Sequence, residues 1–593
     1  MSQTKDQYQF DSLTVEKCFE SFYVVPDYQR EYVWKAENHV TKLLQDIYDA
    51  FTNDSSKEYF LGTTVVIEDK GIYELIDGQQ RTTTLYLILC AFKEIYKLHG
   101  LSTQVLDRKI ADIMLDEQGN EVHQYRLVLQ YENTTDYLQK IVKNEIGPEE
   151  NLTNSNFRLF EAYETAKTFI NDQTHNDVNE LKSFFMYFFK KLKFIQIQAP
   201  YISEALKIFE TINARGAGLN SVDLLKNLIF RQVKREEFDK LKSKWKEFIA
   251  ILEDADEKPL RFLRYFIVSN YPSLHNNPTK QENTMREDDI YNWISQNADK
   301  CKYNENPFAF VELLTENAKC YVNFTKGRDA QGNNNQYLVN IIYLAGSAFR
   351  QHIILLLTAR KFPQDMFNYL VKNLETYLFY FLFTKEQAKI YEKQFGLWNT
   401  YLKDVTNMEQ LTDFVQNRIK PEIDKKETEF KARFYSFSEC DLQLYRVRYI
   451  LAKLSMYIDM MHNGSQITPD ISKYAKYEIE HILPKTSTPQ ILATLPEDVQ
   501  YSPLKSMLGN LTLLEQPLNG SIHNNLFEEK KPAFASSNLY LTRSLVKLDN
   551  VGVNNAVTRT NQLLLEFDHW DDKTIAERQE MLYKIALKIW KIS

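Results

Sequence analysis

The sequence predicts a multidomain α+β protein, and three observations lead to that prediction. The chain has 593 residues, which is too long for a single hydrophobic core. Short apolar runs typical of strands occur near both ends, whereas residues 247–417 carry long runs with helical spacing. The composition also changes after residue 230, and a charged run follows at residues 418–433. We therefore predict domains at residues 1–230, 231–434 and 435–593.

The composition is that of a globular protein in a reducing compartment. Hydrophobic residues make up 44% of the chain, which is enough to fill several cores. The net charge is −8, so any nucleic-acid surface must be a local basic patch on an acidic body. Five scattered cysteines without paired metal spacing predict a cytoplasmic protein. We see no signal peptide, and no apolar run approaches the ~18 residues needed to cross a bilayer.

The first element with a distinctive pattern is an aromatic-rich segment at residues 24–34. Because Pro26 favours an extended backbone, we predict a loop rather than an amphipathic helix. Its aromatic residues can simply cover the core. Arg30, however, lies between them, where a charge is costly without an anionic partner. Residues 36–51 follow with the apolar spacing of a helix.

Two strands at residues 60–67 and 72–76, joined by a turn at residues 69–71, are predicted to form a hairpin. They lead into the stretch around which the first domain is organised: Ile76-Asp77-Gly78-Gln79-Gln80-Arg81-Thr82-Thr83-Thr84. A glycine turn between a strand and a helix aims backbone N–H groups outward, and Arg81 adds a positive charge. The stretch thus predicts a phosphate cradle. In the alternative, Gly78 only permits a turn and Thr82 is the N-cap of an apolar helix at residues 85–92.

The rest of the first domain is predicted to begin with a hairpin around residues 118–120, between strands at 113–115 and 125–129. Helices within 137–190 and a strand at 194–198 follow. A helix over 205–212 is expected to end at Asn213 and Gly216, and Ser221 is expected to cap the next helix.

The middle of the chain contains no sequence motif from which we predict a chemical function. Residues 231–246 hold seven basic residues with Phe238 and Trp245 interleaved. A DNA-facing helix and a solvated helix face both fit that pattern. Loops are expected at residues 269–284 and 325–336, aromatic helices such as 367–383 are expected in the core, and residues 418–433 are expected to form a solvated helix or linker.

The third domain is predicted to contain two strands followed by a loop and helix. These carry, in order, Glu480 with His481, Asn510, and Asn519. Their order is the layout of a His-Me finger nuclease, in which an imidazole deprotonates water and a hard cation stabilises the charge on phosphorus. Mg²⁺ or Mn²⁺ needs few protein oxygens for that task. Taken alone, His481 also fits a structural histidine.

Three motifs in the first 230 residues resemble, in the same order, those of the amino-terminal domain of GmrSD-type modification-dependent restriction enzymes. They are Pro-Asp-Tyr-Gln-Arg-Glu-Tyr-Val-Trp at residues 26–34, Asp-Gly-Gln-Gln-Arg at 77–81, and Ile-Phe-Glu-Thr-Ile-Asn-Ala-Arg-Gly-Ala-Gly-Leu at 208–219 followed by Asp-Leu-Leu-Lys-Asn. That domain has a ParB/sulfiredoxin-like fold, and it binds and hydrolyses a nucleoside triphosphate.

The resemblance implies roles for particular residues of this chain. Asp77, Gln80 and Arg81 are expected to take part in hydrolysis of GTP, ATP or another nucleotide. The other expected nucleotide-binding residues are Arg30, Gly78, Gln79, Thr82, Thr83, Asn213, Arg215 and Lys226, of which the last three approach either the nucleotide or the DNA.

Most of residues 435–560 resemble the carboxy-terminal HNH domain of the same enzymes. The matching motifs are Glu-His-Ile-Leu-Pro, Leu-Gly-Asn-Leu-Thr-Leu-Leu, and Asn519, Asn524, Asn525, Phe527 and Lys530. By this resemblance His481 is the general base, Glu480 and Asn519 are metal ligands, and Asn510 braces the two strands. Asn519 stands where many HNH enzymes have histidine, and His523 lies close enough to compete for that position.

These resemblances imply a cytoplasmic defence enzyme that recognises modified double-stranded phage DNA, such as DNA with glucosylated hydroxymethylcytosine, and cuts it under nucleotide control. Two alternatives stay open. One is a phosphorothioate-sensing nuclease or nickase of the same architecture. The other is a nucleotide-gated DNA-binding or toxin module with a degenerate nuclease site. The sequence does not fix the oligomeric state, for which a homodimer is one option.

Overall fold

The structure, a computed structural model, describes residues 7–26, 29, 31–115, 118, 120–130, 135–145, 152–175, 177–213, 221–271, 285–287, 289–464, 469–497, 499–550 and 555–592. The fold is mixed α/β and the chain divides into two compact units. The first unit comprises Met1–Trp245 and Tyr291–Phe310, and the second comprises Lys246–Ile290 and Val311–Ser593. The domain boundaries drawn from the sequence stay predictions.

The first unit is built on a six-stranded mixed sheet with the order β1-β8-β3-β4-β2-β7. Its strands and those of a separate hairpin are Gln9–Thr14 (β1), Phe22–Val25 (β2), Tyr59–Asp69 (β3), Ile72–Asp77 (β4), Ala111–Leu115 (β5), Glu121–Tyr125 (β6), Leu127–Leu129 (β7) and Leu192–Gln198 (β8). β3 pairs antiparallel with β4 and parallel with β8. The sheet therefore brings the predicted hairpin, which is confirmed, to its centre.

The helices up to residue 253 are Val15–Cys18 (α1), Thr41–Asn53 (α2), Gln79–Leu98 (α3), Gln104–Ile110 (α4), Thr135–Lys143 (α5), Asn154–Thr174 (α6), Val178–Lys190 (α7), Ile202–Asn213 (α8), Ser221–Phe230 (α9) and Arg235–Glu253 (α10). A π-helical turn, Ala36–Val40, precedes α2. The helices predicted at residues 36–51 and within 137–190 are confirmed. Described residues of the predicted loop between β2 and that π-helical turn lie outside helices and strands.

Two element boundaries differ from the prediction. The helix expected at residues 85–92 begins at Gln79, because Gly78 takes a left-handed φ of +85° and turns the chain straight into the helix. The hairpin expected near residue 119 pairs β5 with β6, whereas Leu127–Leu129 joins the main sheet beside β2. A short apolar run carries no information about which strand it pairs with.

Helix α3 is the centre of the hydrophobic core of the first unit. Every residue from 82 to 92 is buried, so this part of the helix is covered on all sides, whereas its last turn reaches the surface at Lys97 and Leu98. The Phe92 ring lies 5.7 Å from that of Phe184 and 5.4 Å from that of Phe188. The position of α3 is thus fixed by α7 as well as by the sheet.

The remaining helices are Pro259–Asn270 (α11), Asp289–Gln296 (α12), Ala298–Cys301 (α13), Pro307–Thr325 (α14), Gln336–Ala345 (α15), Ile353–Thr358 (α16), Gln364–Phe383 (α17), Ala388–Leu402 (α18), Met408–Phe414 (α19), Lys420–Asp424 (α20), Glu427–Tyr435 (α21), Leu444–Asn463 (α22), Ile471–Tyr474 (α23), Pro489–Leu492 (α24), Tyr501–Lys505 (α25), Gln516–Ile522 (α26), Phe527–Ala535 (α27), Tyr540–Arg543 (α28), Ala556–Asn561 (α29) and Asp572–Ile589 (α30). The described residues also form a π-helical turn, Val415–Ile419, and 3₁₀ turns at Ala359–Lys361, Glu439–Asp441 and Leu508–Asn510. Strands Glu478–His481 (β9) and Leu511–Leu514 (β10) form a two-stranded sheet.

In the helical middle of the chain, the core residues are those that the sequence predicts. The aromatic residues of α17 are buried, as predicted, and the loop expected at 325–336 lies between α14 and α15. In α10, Phe238 and Trp245 are buried against Phe230, so the interleaved aromatics are core residues. The charged run near residue 430 is helical, and Phe430 within it is fully buried.

None of the described helices is both long and apolar enough to cross a lipid bilayer. All five cysteines are free thiols, of which Cys440 is exposed and the other four are buried.

We predict that Gly78→Ala destabilises the protein more than Gly71→Ala. Both glycines have a φ of +85°, but an added Cβ at Gly78 would lie 2.6 Å from Thr64 Cγ2, whereas at Gly71 nothing lies within 4 Å. Left-handed backbone alone costs about 1–2 kcal/mol, and the clash adds about 1–3 kcal/mol. Urea unfolding of the two variants measures the difference, and equal losses of stability would show that Thr64 moves away freely.

Candidate functional site

The predicted phosphate cradle is a strand-to-helix junction in the first unit. β4 ends at Asp77, Gly78 turns the chain, and α3 starts at Gln79. The first N–H groups of a helix have no partner within the helix, and they carry the positive end of its dipole. The junction therefore has the backbone features that anions favour, in a place where Thr64 packs closely against Gly78.

Arg81 is the cation of this junction. Its Nη1 donates to the carbonyl of Thr63 at 3.2 Å, and an added Cβ at Gly62 would lie 2.9 Å from the same atom. Burial lowers the pKa of the Arg81 guanidinium, and the Asp77 carboxylate opposes that shift. A guanidinium held by one neutral carbonyl and partly removed from water gains from an added anion.

Gln80 fixes the aromatic-rich segment to α3. Its Oε1 accepts from the N–H of Val33 at 2.8 Å, and its Nε2 donates to the carbonyl of Glu31 at 3.0 Å. The Tyr32 hydroxyl lies 2.8 Å from Thr84 Oγ1, which also bonds to the carbonyl of Gln80. Both ends of the Gln80 amide are therefore engaged with the backbone, and its expected part in hydrolysis stays a prediction.

The structure describes the side chains of four other predicted nucleotide-binding residues. Gln79, Thr82 and Thr83 are almost fully buried in the first turns of α3, whereas the sequence suggested an open turn. Lys226 lies in α9, with Nζ 5.8 Å from the ring centre of Phe230. Arg30, Arg215 and the side chain of Asn213 lie outside the described residues.

In the second unit, the predicted nuclease residues lie on or next to the two-stranded sheet. β9 and β10 are antiparallel, with His481 opposite Leu511 and Glu480 opposite Thr512. The strand pairing predicted from the sequence is confirmed. The predicted loop and helix after β10 are two helices, α26 and α27, joined at residues 523–526.

Asn510 joins the ends of the two strands. Its Oδ1 accepts from the N–H of Leu483 at 2.6 Å and from Trp570 Nε1 at 2.9 Å. Its Nδ2 donates to the carbonyls of Leu483 at 2.9 Å and Lys505 at 2.8 Å. These four bonds use the full hydrogen-bonding capacity of the amide in a fully buried position.

His481 is held by a carboxylate that the sequence did not indicate. Its Nε2 lies 3.0 Å from Oε1 of Glu439, which belongs to the 3₁₀ turn Glu439–Asp441. Both side chains are largely buried, at 11% and 13% exposure. The imidazole therefore has a fixed orientation with one nitrogen engaged.

Glu480 forms a buried ion pair with Lys530 of α27. Lys530 Nζ lies 2.6 Å from Glu480 Oε1 and 2.8 Å from the carbonyl of His481, and burial lowers the pKa of this lysine. The predicted metal ligand thus already has a cationic partner, at one of its two carboxylate oxygens.

Asn519 lies in α26 and contacts a different acid. Its Nδ2 is 2.5 Å from Oε2 of Glu478, while its Oδ1 is buried without a hydrogen-bond partner in the described part of the chain. An amide oxygen without a partner beside a carboxylate fits a hard cation such as Mg²⁺, which prefers oxygen ligands. The described residues contain no group of three or more His, Cys, Asp or Glu side chains with metal-binding geometry. His523 is exposed at the end of α26.

The turn before β10 rests on the C-terminal helix α30. Arg578 donates from Nη1 to the carbonyls of Gly509 at 2.6 Å and Leu511 at 2.7 Å. A Cβ on Gly509 would lie 2.3 Å from the carbonyl oxygen of Ile575. Complete burial lowers the pKa of Arg578 to about 9, which shows how closely this helix covers the turn.

Sequence reasoning missed Glu439, Glu478, Gly62 and Arg578. Gly62 had a signal, because an isolated glycine within a strand marks a close approach of another group. Glu439 had none, since it lies 42 positions before His481 and belongs to no motif. Lys530 was noted for its resemblance to the family motif but without a role.

We predict that Asn510→Ala destabilises the second unit by about 3 kcal/mol or more, because each buried group left without a partner costs about 1–3 kcal/mol. Unfolding in urea, followed by circular dichroism, measures the loss. Asn524→Ala, at an exposed position in the same region, is the control and should change stability by less than about 0.5 kcal/mol. Similar stabilities for both variants would contradict a bracing function of Asn510.

The comparisons with known proteins match the two ends of the chain. Residues 12–230 match the model of the GmrSD restriction endonuclease N-terminal domain, and residues 424–585 match that of the GmrSD restriction endonuclease C-terminal domain. A search of curated proteins gives no match. The two models cover the junction at Gly78 and the β9–β10 sheet in the order that the resemblance implied. The chain therefore belongs to the GmrSD family of restriction endonucleases, nucleases of defence that act on DNA.

Proposed function

We propose that this protein is a nucleotide-regulated, metal-dependent endonuclease that cuts modified foreign DNA. The observation that carries the nuclease part is the fixed imidazole of His481 on a strand pair braced by Asn510. Such a group can serve as the general base that deprotonates water for attack on a phosphodiester. The substrate we propose is double-stranded phage DNA met in the cytoplasm.

His481 takes a proton from water in this proposal. The resulting hydroxide oxygen bonds to phosphorus, the bond from phosphorus to the leaving sugar oxygen breaks, and that oxygen takes up a proton from solvent. A bound Mg²⁺ or Mn²⁺ supplies stabilisation of the charge that builds on the phosphate oxygens. Glu480 and Asn519 would hold it, with Glu478 next to Asn519 as a further carboxylate.

The nucleotide part of the proposal rests on the junction at Gly78. A triphosphate needs backbone N–H groups and positive charge, and the start of α3 and Arg81 provide both. We assign Asp77 and Gln80 to hydrolysis as well. Gln80 also joins α3 to residues 31–33, so events at the junction can be transmitted to the aromatic-rich segment.

The Glu480–Lys530 ion pair favours a second candidate function. A carboxylate neutralised by a buried lysine is less attractive to a metal ion than a free one. The chain would then be a nucleotide-gated DNA-binding or toxin module without cleavage activity. A cleavage assay on modified and unmodified DNA separates this candidate from the first.

We predict that His481→Ala lowers DNA cleavage by about 10²- to 10⁴-fold, which is the usual loss when positioned proton transfer is removed. Nucleotide hydrolysis should stay near the wild-type rate, because the junction at Gly78 lies in the other unit. Nicking and cutting of a plasmid substrate, with NTP hydrolysis measured in parallel, test both statements.

The same cleavage assay tests whether the nuclease requires a divalent metal ion. Cleavage should require Mg²⁺ or Mn²⁺ and should stop in excess EDTA. Wild-type cleavage by His481→Ala would refute the assigned base, and full activity in EDTA would refute the metal.

We predict that Arg81→Ala lowers nucleotide hydrolysis by about 10²- to 10³-fold, since a charge aimed at the phosphates has that typical effect on rate. It should also abolish the response of DNA cleavage to added nucleotide. The measurement is phosphate release from GTP, ATP and the other nucleotides.

Arg108→Ala is the matched control, because Arg108 is an exposed arginine of the same unit outside the junction. Circular dichroism must show that both variants fold. If folded Arg81→Ala hydrolyses every nucleotide like wild type, Gly78 only forms a turn and the nucleotide proposal fails.

A further inference from the structure

The contact between Glu439 and His481 indicates which nitrogen of the imidazole carries hydrogen. An ionised carboxylate only accepts hydrogen bonds, so the Nε2 atom that lies 3.0 Å from Glu439 Oε1 must carry a hydrogen and donate it. A neutral imidazole has one N–H group. In the neutral form of His481 the lone pair therefore lies on Nδ1, which makes no hydrogen bond to the described residues.

Glu439 itself is held firmly by its backbone. Its N–H donates to the carbonyl of Ser506 at 2.8 Å, and its turn is closed by a capping box between Ser438 and Asp441. The preceding Phe437 is buried and stacks on Phe383 with ring centres 5.5 Å apart. The backbone that carries the carboxylate is thus held by contacts that do not involve His481.

We propose that Glu439 is the positioning residue for His481: it fixes the orientation of the ring and the tautomer with hydrogen on Nε2, which leaves Nδ1 as the atom that accepts a proton from water. This inference rests on the proposed nuclease function and assigns it a residue outside every motif. Removal of a partner that orients an imidazole typically lowers activity by about 10- to 100-fold.

The experiment compares Glu439→Ala with Glu409→Ala in the full chain. Glu409 is an exposed glutamate of α19 in the same unit, outside the turn that holds Glu439. For Glu439→Ala we expect kcat for DNA cleavage to fall by about 10- to 100-fold with KM nearly unchanged. Glu409→Ala should keep kcat within about threefold of wild type, and added acetate should restore part of the lost rate to Glu439→Ala only.

A second measurement does not depend on cleavage. Nitrogen NMR of histidine-labelled protein, assigned with His481→Ala, should show hydrogen on Nε2 of His481 in wild type and in Glu409→Ala, and a mixture of tautomers in Glu439→Ala. Equal losses of kcat in the two variants, or an unchanged tautomer in Glu439→Ala, would overturn the inference while inactive His481→Ala still supported the nuclease. Cleavage by His481→Ala at the wild-type rate would instead overturn the proposed function itself.

Discussion

The amide of Asn510 is the interaction on which the nuclease region depends. β9 and β10 are only four residues each, and so short a pair has little stability of its own. Asn510 adds bonds to both backbone groups of Leu483, and it reaches Trp570 as well. One side chain thus connects the strand that carries His481, the base that we propose, to the turn before β10, so both strands share a single frame.

The junction at Gly78 depends on a steric constraint instead. Gly62 and Gly78 remove side chains where Arg81 and Thr64 need room, and α3 then buries its apolar surface against α6 and α7. Arg81 is positioned by the backbone of β3, because its Nη1 donates to the carbonyl of Thr63. A neutral carbonyl leaves the positive charge of the guanidinium able to attract an anionic ligand.

The sequence predicts individual helices and strands well, but it predicts poorly which residues distant in the chain contact one another. The strands around residue 70 follow from alternation and a Gly turn, and the β9–β10 pair follows from two apolar runs with Asn510 between them. The start of α3 was misjudged because threonine is usually a cap or strand residue, whereas Thr84 in the helix bonds back to the carbonyl of Gln80. Glu439, Glu478 and Arg578 could not be predicted at the site, because contacts between residues 41 to 69 positions apart leave no periodic pattern.

The dependence of the β10 turn on α30 has a consequence for how the enzyme is made. The carbonyls of Gly509 and Leu511 are bonded by Arg578, which the ribosome adds 69 and 67 residues later. A growing chain therefore exposes its His481 strand before the helix that completes the frame has been synthesised. Until then the turn before β10 lacks the two bonds that hold it, so we expect a chain interrupted before Arg578 to form no stable β9–β10 frame.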